Sequence, residues 1–321
     1  MTRPTNHLLL LLLLLAVTGV AARERGIDPG PPVITIGTLP GGDSTSCIIP
    51  FTRAGNLILV QATADTVSGN FILDTGAPGL VLNLTYFRQY PTTSEDGEQT
   101  NITGGTAPVL KTRVASFAFG TLHYDHVDAD LANLGPIENS KGVKILGLLG
   151  MDLLMRCEMI IDYRKNLIYL HRIGRRESSS YQSIQLKESS PYTTVPIDLK
   201  DNRIITQITV GGKNLKFIID CGAESTILDS RLPNAIFDRV TITGRVMLTG
   251  AGNKKIEALQ GSLDELRIGG NRIGDLPVLI TNLEKTCFAY GGCIDGILGF
   301  DFLSLQKIGF NFVTRKLYLW K

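Results

Sequence analysis

The sequence predicts an all-β protein built from two homologous lobes, and three observations carry that prediction. Several blocks of sequence recur in the same order at a nearly constant spacing. Most apolar runs are short, rich in β-branched residues and bounded by glycine turns, which is typical of strands. The chain also contains 34 glycines among 321 residues. Such a composition indicates many tight turns and makes a helical bundle the less favoured class.

The internal repeat defines the two lobes. Residues 71–77 (FILDTGA) recur as residues 217–223 (FIIDCGA), an offset of 146 (220 − 74). Residues 147–152 (GLLGMD) recur as residues 296–301 (GILGFD), an offset of 149 (296 − 147). Blocks that keep their order with one small gap indicate a duplicated chain with lobes of about 125 residues each.

The N-terminus has the pattern of an export signal. Arg3 precedes an apolar run over residues 8–17, and small residues follow it up to Ala22. The run is shorter than the roughly 20 apolar residues that span a bilayer. We therefore expect cleavage after Ala22 and a secreted or periplasmic protein without a stable membrane span; an uncleaved anchor is the alternative.

The predicted organisation has five parts. They are the signal peptide at residues 1–22, an extended N-terminal segment at 23–46, the N-terminal lobe at 47–172, a polar interlobe linker at 173–195 and the C-terminal lobe at 196–321.

Charge and metal-ligand spacing exclude two classes of function. Lys and Arg total 32 against 30 Asp and Glu, a net charge of +2, which is too balanced for a protein that neutralises many phosphates. We expect no nucleic acid partner. No CxxC pair occurs, and His123 and His126 lack a convincing third ligand. We expect no metal and no cofactor.

The five cysteines fit an oxidising compartment. Cys287 and Cys293 are separated by a short glycine-containing loop that a disulfide could close. Cys47 and Cys157 could pair over a longer distance, although sequence alone leaves their connectivity open. Cys221 then remains as the unpaired cysteine, inside one of the repeated motifs.

Each repeat places an aspartate where an apolar strand ends. Asp74 and Asp220 must be hydrogen-bonded or paired, because burying a bare carboxylate is very costly. Gly76 and Gly222, two positions further on, allow backbone amides to approach closely. Pseudo-twofold symmetry can bring the two turns together, and two carboxyl groups in contact share one proton. One then serves as base and the other as acid. The alternative is that each aspartate only caps its own turn, as in a structural β-sandwich with the two carboxyl groups far apart.

These motifs resemble the signature of the aspartic proteases, specifically the retropepsin-like aspartyl proteases of bacteria. The matching turns are Asp74, Thr75, Gly76 and Ala77 in the first lobe and Asp220, Cys221, Gly222 and Ala223 in the second. The family's second signature is similar to Leu148, Leu149 and Gly150 and to Ile297, Leu298 and Gly299. The resemblance covers roughly residues 47–321. It implies the bilobal acid-protease (pepsin/retropepsin-like) fold, with two homologous β-barrel lobes and an active-site cleft between them.

The resemblance also implies a mechanism. Asp74 and Asp220 hold a water molecule that attacks the peptide carbonyl without a metal ion or a covalent adduct. An extended polypeptide substrate lies between the lobes, and a monomer suffices because the lobes supply the pseudo-dimer. The family closes its cleft with glycine-rich flaps, for which the candidates are Gly104, Gly105, Gly250 and Gly252. The alternative for each is an ordinary hairpin turn.

One position departs from the family pattern. Cys221 stands where the family has a Thr or Ser whose hydroxyl braces the two turns, and a thiol is a weaker donor. Three interpretations follow: an active protease that tolerates the change, a degenerate protease that binds peptide without cutting, and a redox switch at the site. The sequence favours the first, a secreted aspartic endopeptidase with an acidic to mildly acidic optimum.

Overall fold

The computed structural model describes residues 45–100, 106–178, 181, 183–187, 191–249, 255–285, 287 and 292–321. The predicted signal peptide and all but the last two residues of the predicted extended segment lie outside these residues. Within the described ranges, no helix is both long and apolar enough to cross a membrane.

Eight strands form the sheet of the N-terminal lobe. They are β2 (Thr52–Ala54), β3 (Leu57–Ala64), β4 (Val67–Leu73), β5 (Leu80–Asn83), β6 (Thr93–Thr100), β7 (Thr106–Phe119), β8 (Leu122–Ala132) and β9 (Gly147–Leu149). Their order is β2-β3-β4-β9-β5-β8-β7-β6, and an additional β3–β7 pairing closes the sheet on itself. Every residue of β5 and β9 is buried, as expected for short apolar strands covered on both faces.

Ten strands form the sheet of the C-terminal lobe. They are β13 (Asp198–Lys200), β14 (Arg203–Val210), β15 (Lys213–Ile219), β16 (Ile227–Asp229), β17 (Val240–Thr249), β18 (Lys255–Leu263), β19 (Leu266–Ile268), β20 (Asn271–Ile273), β21 (Leu276–Thr281) and β22 (Gly296–Leu298). Strands β3 and β14 share one burial pattern, four buried residues followed by alternation. The duplication is therefore visible in the packing as well as in the sequence.

A two-residue turn joins β14 to β15. Val210 pairs with Lys213 across the turn. Gly211 and Gly212 have φ angles of 54° and 75°, which a two-residue turn of this type requires and which glycine adopts without strain.

A third sheet of six strands joins the lobes. Its members are β1 (Ser46–Pro50), β10 (Cys157–Asp162), β11 (Leu167–Arg172), β12 (Tyr192–Pro196), β23 (Ile308–Asn311) and β24 (Lys316–Trp320). The order is β1-β11-β10-β23-β24-β12, so β10 of the first lobe pairs directly with β23 of the second. Most of β12 lies within the predicted linker, residues 173–195.

The helices are short and lie between strands. They are α1 (Leu84–Phe87), α2 (Gly135–Lys141), α3 (Ile184–Lys187), α4 (Asn234–Phe237) and α5 (Phe300–Leu303), with a 3₁₀ turn at Met151–Leu153. The predominance of strands confirms the all-β prediction.

One hydrophobic core runs through both lobes and the shared sheet. Phe71 and Phe117 meet edge to face in the N-terminal lobe, with ring centroids 5.3 Å apart. Phe217 in the C-terminal lobe and Phe310 in the shared sheet are also fully buried. Burial of such side chains supplies most of the favourable free energy of folding.

The structure distinguishes between the two cysteine pairings considered above. Cys287 and Cys293 are joined by a disulfide, with Cα atoms 4.1 Å apart. Cys47 and Cys157 are buried free thiols. Strand β11 lies between their strands, which separates them by about 10 Å. A disulfide requires Cα atoms within about 7 Å, so this fold keeps Cys47 and Cys157 unpaired.

Candidate active site

The two aspartates stand at the ends of equivalent strands. In the N-terminal lobe, β4 runs parallel to β9, and the Asp74 amide donates to the Leu149 carbonyl at 3.0 Å. In the C-terminal lobe, β15 runs parallel to β22, and the Asp220 amide donates to the Leu298 carbonyl at 3.0 Å. The residues of the second signature therefore hold each aspartate turn in place.

The glycine that ends each second signature is required by close backbone contact. A Cβ atom at Gly150 would lie 2.8 Å from the Ala77 carbonyl oxygen, and one at Gly299 would lie 2.7 Å from the Ala223 carbonyl oxygen. Such contacts are shorter than real Cβ atoms make. In the second signature of the N-terminal lobe Leu148 is fully buried, and in that of the C-terminal lobe Ile297 is fully buried.

Backbone amides hold one oxygen of each carboxyl group. The Gly76 amide donates to Asp74 Oδ1 at 2.8 Å and the Gly222 amide donates to Asp220 Oδ1 at 2.7 Å. The Gly76 amide also lies 3.1 Å from Asp220 Oδ1, across the lobe interface. Asp74 Oδ1 accepts a further hydrogen bond from the Ala77 amide at 3.0 Å. The carboxyl groups are therefore fixed before any substrate arrives.

Each carboxyl group packs against the glycine of the opposite turn. A Cβ atom at Gly76 would lie 2.6 Å from Asp220 Cγ, and one at Gly222 would lie 2.6 Å from Asp74 Cγ. Both aspartates are fully buried, and both Oδ2 atoms lack a hydrogen-bond partner among the described residues. The aspartates form one pair at the lobe interface rather than two separate caps.

The surroundings of the two aspartates raise the pKa of both carboxyl groups. Burial, followed by the charge of Asp74, raises the pKa of Asp220 well above its usual range. Burial also raises the pKa of Asp74, while the Gly76 amide, a hydrogen bond with Asp220, the Ala77 amide and the positive charge of Arg203 lower it. Each carboxyl group accepts two backbone amides, and both pKa values are raised, so two such groups in contact favour sharing one proton over ionising together.

The brace between the two turns is asymmetric. Thr75 Oγ1 donates to the Ile219 carbonyl at 3.1 Å and accepts from the Cys221 amide at 2.9 Å. On the other side stands the buried Cys221 thiol, whose pKa burial raises to about 12. The thiol therefore stays protonated, and as a weak donor it contributes less than the hydroxyl of Thr75.

Two asparagines that the sequence interpretation missed link the lobes with the same symmetry. The Asn56 side chain donates to the Glu224 carbonyl at 3.1 Å. The Asn202 side chain donates to the Pro78 carbonyl at 3.2 Å. Both donor and acceptor positions differ by 146, so the repeat offset was a signal that could have identified them.

The four glycines predicted as flap candidates, Gly104, Gly105, Gly250 and Gly252, lie outside the described residues. The strands that precede and follow each pair of these glycines are antiparallel partners, β6 with β7 and β17 with β18. Across the described part of the chain, no three His, Cys, Asp or Glu side chains are grouped so as to hold a metal ion.

Two strand-rich lobes that each bring one aspartate to a shared buried pair define, in fold and site, the class of aspartic-type proteases. Comparison with known families agrees. The family described as aspartyl protease matches residues 60–153 and 206–302, more than half of the chain and once in each lobe. The chain belongs to the aspartyl protease family, and the family prediction is confirmed.

Among solved structures, the aspartic proteinase from Irpex lacteus is similar in fold. The two chains are 14% identical, with a TM-score of 0.52 over 86% of this chain and 97% of that one. At this identity the likeness concerns the fold alone, and it confirms the bilobal acid-protease fold. No curated protein matches the sequence.

Proposed function

We propose that this protein is an exported aspartic endopeptidase that hydrolyses peptide bonds with a water molecule activated by Asp74 and Asp220. The observation that carries the proposal is the hydrogen bonding of the four carboxyl oxygens. Both Oδ1 atoms are held by backbone amides, whereas both Oδ2 atoms are buried without a protein partner. Oxygens left in this way are suited to bind a water molecule and move its protons.

The proposed reaction uses the two aspartates in opposite protonation states. Ionised Asp74 takes a proton from the water as its oxygen bonds to the carbonyl carbon, and protonated Asp220 donates its proton to the carbonyl oxygen. The tetrahedral intermediate then collapses. The C–N bond breaks, the proton held by Asp74 passes to the leaving amine, and ionised Asp220 takes back a proton from one hydroxyl of the intermediate as the carboxylic acid forms. The step balances with water as the only co-reactant.

The family supports an extended polypeptide as the substrate, bound between the lobes of a monomer. Among the described residues, strands β6 and β17 are the terminal members of their sheets, so one side of each has no neighbouring strand there. Main-chain hydrogen bonds to such strands would bind a peptide largely independently of its sequence.

A second candidate function, peptide binding without cleavage, is favoured by one observation. The C-terminal turn carries the Cys221 thiol in place of a bracing hydroxyl. A weaker brace would allow the turns to separate slightly, and small displacements of reacting groups cost large factors in rate.

The deciding experiment measures cleavage of a mixed peptide library by the mature protein from about pH 3 to about pH 8. The Asp74→Asn and Asp220→Asn variants run beside it, and mass spectrometry identifies the product ends. We expect cleavage by the wild type that is strongest at acidic to mildly acidic pH and absent in both variants. A flat profile extending to about pH 9 contradicts the shared-proton mechanism.

The controls separate chemistry from folding. Because each substitution removes one of two adjacent buried carboxyl groups, neither variant should unfold at a lower temperature than the wild type. Asp128→Asn, at an exposed ion pair with Arg113, is the matched control and should cleave normally. A folded wild type that binds peptides but never cleaves them favours the second candidate.

Export is supported by the N-terminal pattern and by the disulfide between Cys287 and Cys293, which is typical of oxidising compartments. N-terminal sequencing of the protein recovered from its natural compartment should begin at residue 23.

A further inference from the structure

A buried ion pair joins the two lobes directly behind the C-terminal aspartate turn. Lys141 Nζ lies 2.5 Å from Glu224 Oε2 and 2.6 Å from Glu224 Oε1. The side chains are only 11% and 7% exposed. Lys141 belongs to the N-terminal lobe, whereas Glu224 lies four residues after Asp220 in the C-terminal lobe.

Three parts of the N-terminal lobe contact the Glu224 carboxylate. Helix α2 ends at Lys141, and the left-handed φ of 64° at Gly142 terminates it. The Asn56 amide donates to Glu224 Oε1 at 3.0 Å. At neighbouring Gly55, a Cβ atom would lie 2.9 Å from the same oxygen. A buried charge with this many partners is fully compensated.

Among the described residues, no ion pair occupies the equivalent place on the other side of the pseudo-twofold axis. The position equivalent to Glu224 is Pro78, whose carbonyl accepts from Asn202. The C-terminal turn is also the one that carries Cys221 in place of a hydroxyl. The charged contact therefore holds the turn that has the weaker brace.

We propose that the Lys141–Glu224 pair is a positioning contact that fixes the Asp220 turn against the N-terminal lobe and takes over the work of the missing hydroxyl at position 221. The inference rests on the proposed protease function. Its physical basis is the bond of 3.1 Å from the Gly76 amide to Asp220 Oδ1. That bond lasts only while the two turns stay in register.

The test is a set of four chains: the wild type, Glu224→Gln, Cys221→Thr and the double variant. With active-site titration to count folded enzyme, Glu224→Gln should lower kcat about tenfold in the Cys221 chain and leave KM unchanged. In the Cys221→Thr chain the same change should lower kcat less than about threefold, because the hydroxyl restores the brace. Equal losses in both chains overturn the inference.

Charge and chemistry are controlled separately. Lys141→Arg keeps the ion pair and should keep kcat, whereas Lys141→Met should reproduce the loss of Glu224→Gln. Glu265→Gln removes a carboxylate that pairs with Arg267 and Arg272 elsewhere in the C-terminal lobe and should leave kcat unchanged. If Glu265→Gln lowers kcat as much as Glu224→Gln does, the loss comes from removing any negative charge, and the proposal is overturned.

The four chains also distinguish failure of this inference from failure of the proposed function. Their unfolding in urea is followed in parallel, which requires no activity. Suppose that the wild type does not cleave but that the effects of the two substitutions on the free energy of unfolding are not additive. The protease proposal then fails, whereas the coupling between the ion pair and position 221 is supported. If the substitutions are additive in both unfolding and kcat, the inference fails and the protease proposal is untouched.

Discussion

Glycine is required at positions 76 and 222 by the opposite carboxyl group rather than by backbone conformation. Neither residue is among those with a left-handed φ angle, so an alanine could adopt the same backbone. The obstacle is the approach of Asp220 to Gly76 and of Asp74 to Gly222. At the scale of the residue, the site thus requires the lack of a side chain at Gly76 and Gly222 as well as the two aspartates.

Gly222→Ala tests this requirement. The new methyl group would lie 2.6 Å from Cγ and Oδ1 of Asp74, a carboxyl group that backbone amides hold in place. We expect kcat/KM to fall at least about a hundredfold and the free energy of unfolding to fall by about 1–3 kcal/mol. Gly244→Ala is the matched control, because its nearest contact would be an ordinary 3.9 Å. A Gly222→Ala enzyme with normal kcat/KM would show that the carboxyl group can move aside.

At the scale of the element, the strands of the shared sheet bury a carboxyl group at the junction of the lobes. Glu158 on β10 pairs with Asn311 on β23, and the Asn311 side chain donates to Glu158 Oε2 at 2.8 Å. Burial raises the pKa of Glu158 to about 7. Its Oε1 atom is buried without a hydrogen-bond partner among the described residues.

This carboxyl group should make stability depend on pH. Since its pKa is raised in the folded state, its stabilising contribution is complete below about pH 4.5 and is lost as the pH rises through about 7. The full loss is about 3 kcal/mol. Glu158→Gln mimics the protonated form, so it should be more stable than the wild type at about pH 8 and equal to it at about pH 4. Urea unfolding at the two pH values measures this difference, and an equal difference at both contradicts the assignment.

At the scale of the whole molecule, the shared sheet makes the lobes interdependent. Strand β10 of the first lobe has β11 on one side and β23 of the second lobe on the other. A lobe taken alone would expose the edge of a fully buried strand, which is unfavourable because its backbone groups would lose their partners.

We therefore expect the two lobes to unfold together. Differential scanning calorimetry of the mature protein should give a single transition whose calorimetric and van't Hoff enthalpies agree. Phe310→Ala, in the centre of the shared sheet and fully buried, should cost about 3–5 kcal/mol and lower that one transition as a whole. Two resolved peaks, only one of which moves in the variant, would contradict the interdependence.

The sequence predicted the parts of the site that recur. Asp74 and Asp220, their turn glycines and the two second signatures were found because each appears twice at a fixed offset. Lys141 and Glu224 were not found, because the repeat does not contain them twice. A lysine at the end of a short polar segment resembles a solvent-exposed one until its partner, 83 residues away, is known.

The six-stranded sheet could not be predicted from the sequence either. Residues 192–195 follow a polar stretch and fall in the predicted linker, since a short strand pattern does not reveal its partner. Strand β12 is stabilised by pairing with β24 at the C-terminus, a contact that forms only when the whole chain has folded.

By itself, the sequence determined the duplication, the strand-rich class and the pairing of two aspartates, because each depends on residue types and spacings within a lobe. The tertiary structure alone decided how the two carboxyl groups are buried against each other, how the lobes share a sheet and which charged side chains join the lobes behind the Asp220 turn. Those features depend on burial and on contacts between residues far apart in the chain, and such contacts exist only after the two lobes have packed together.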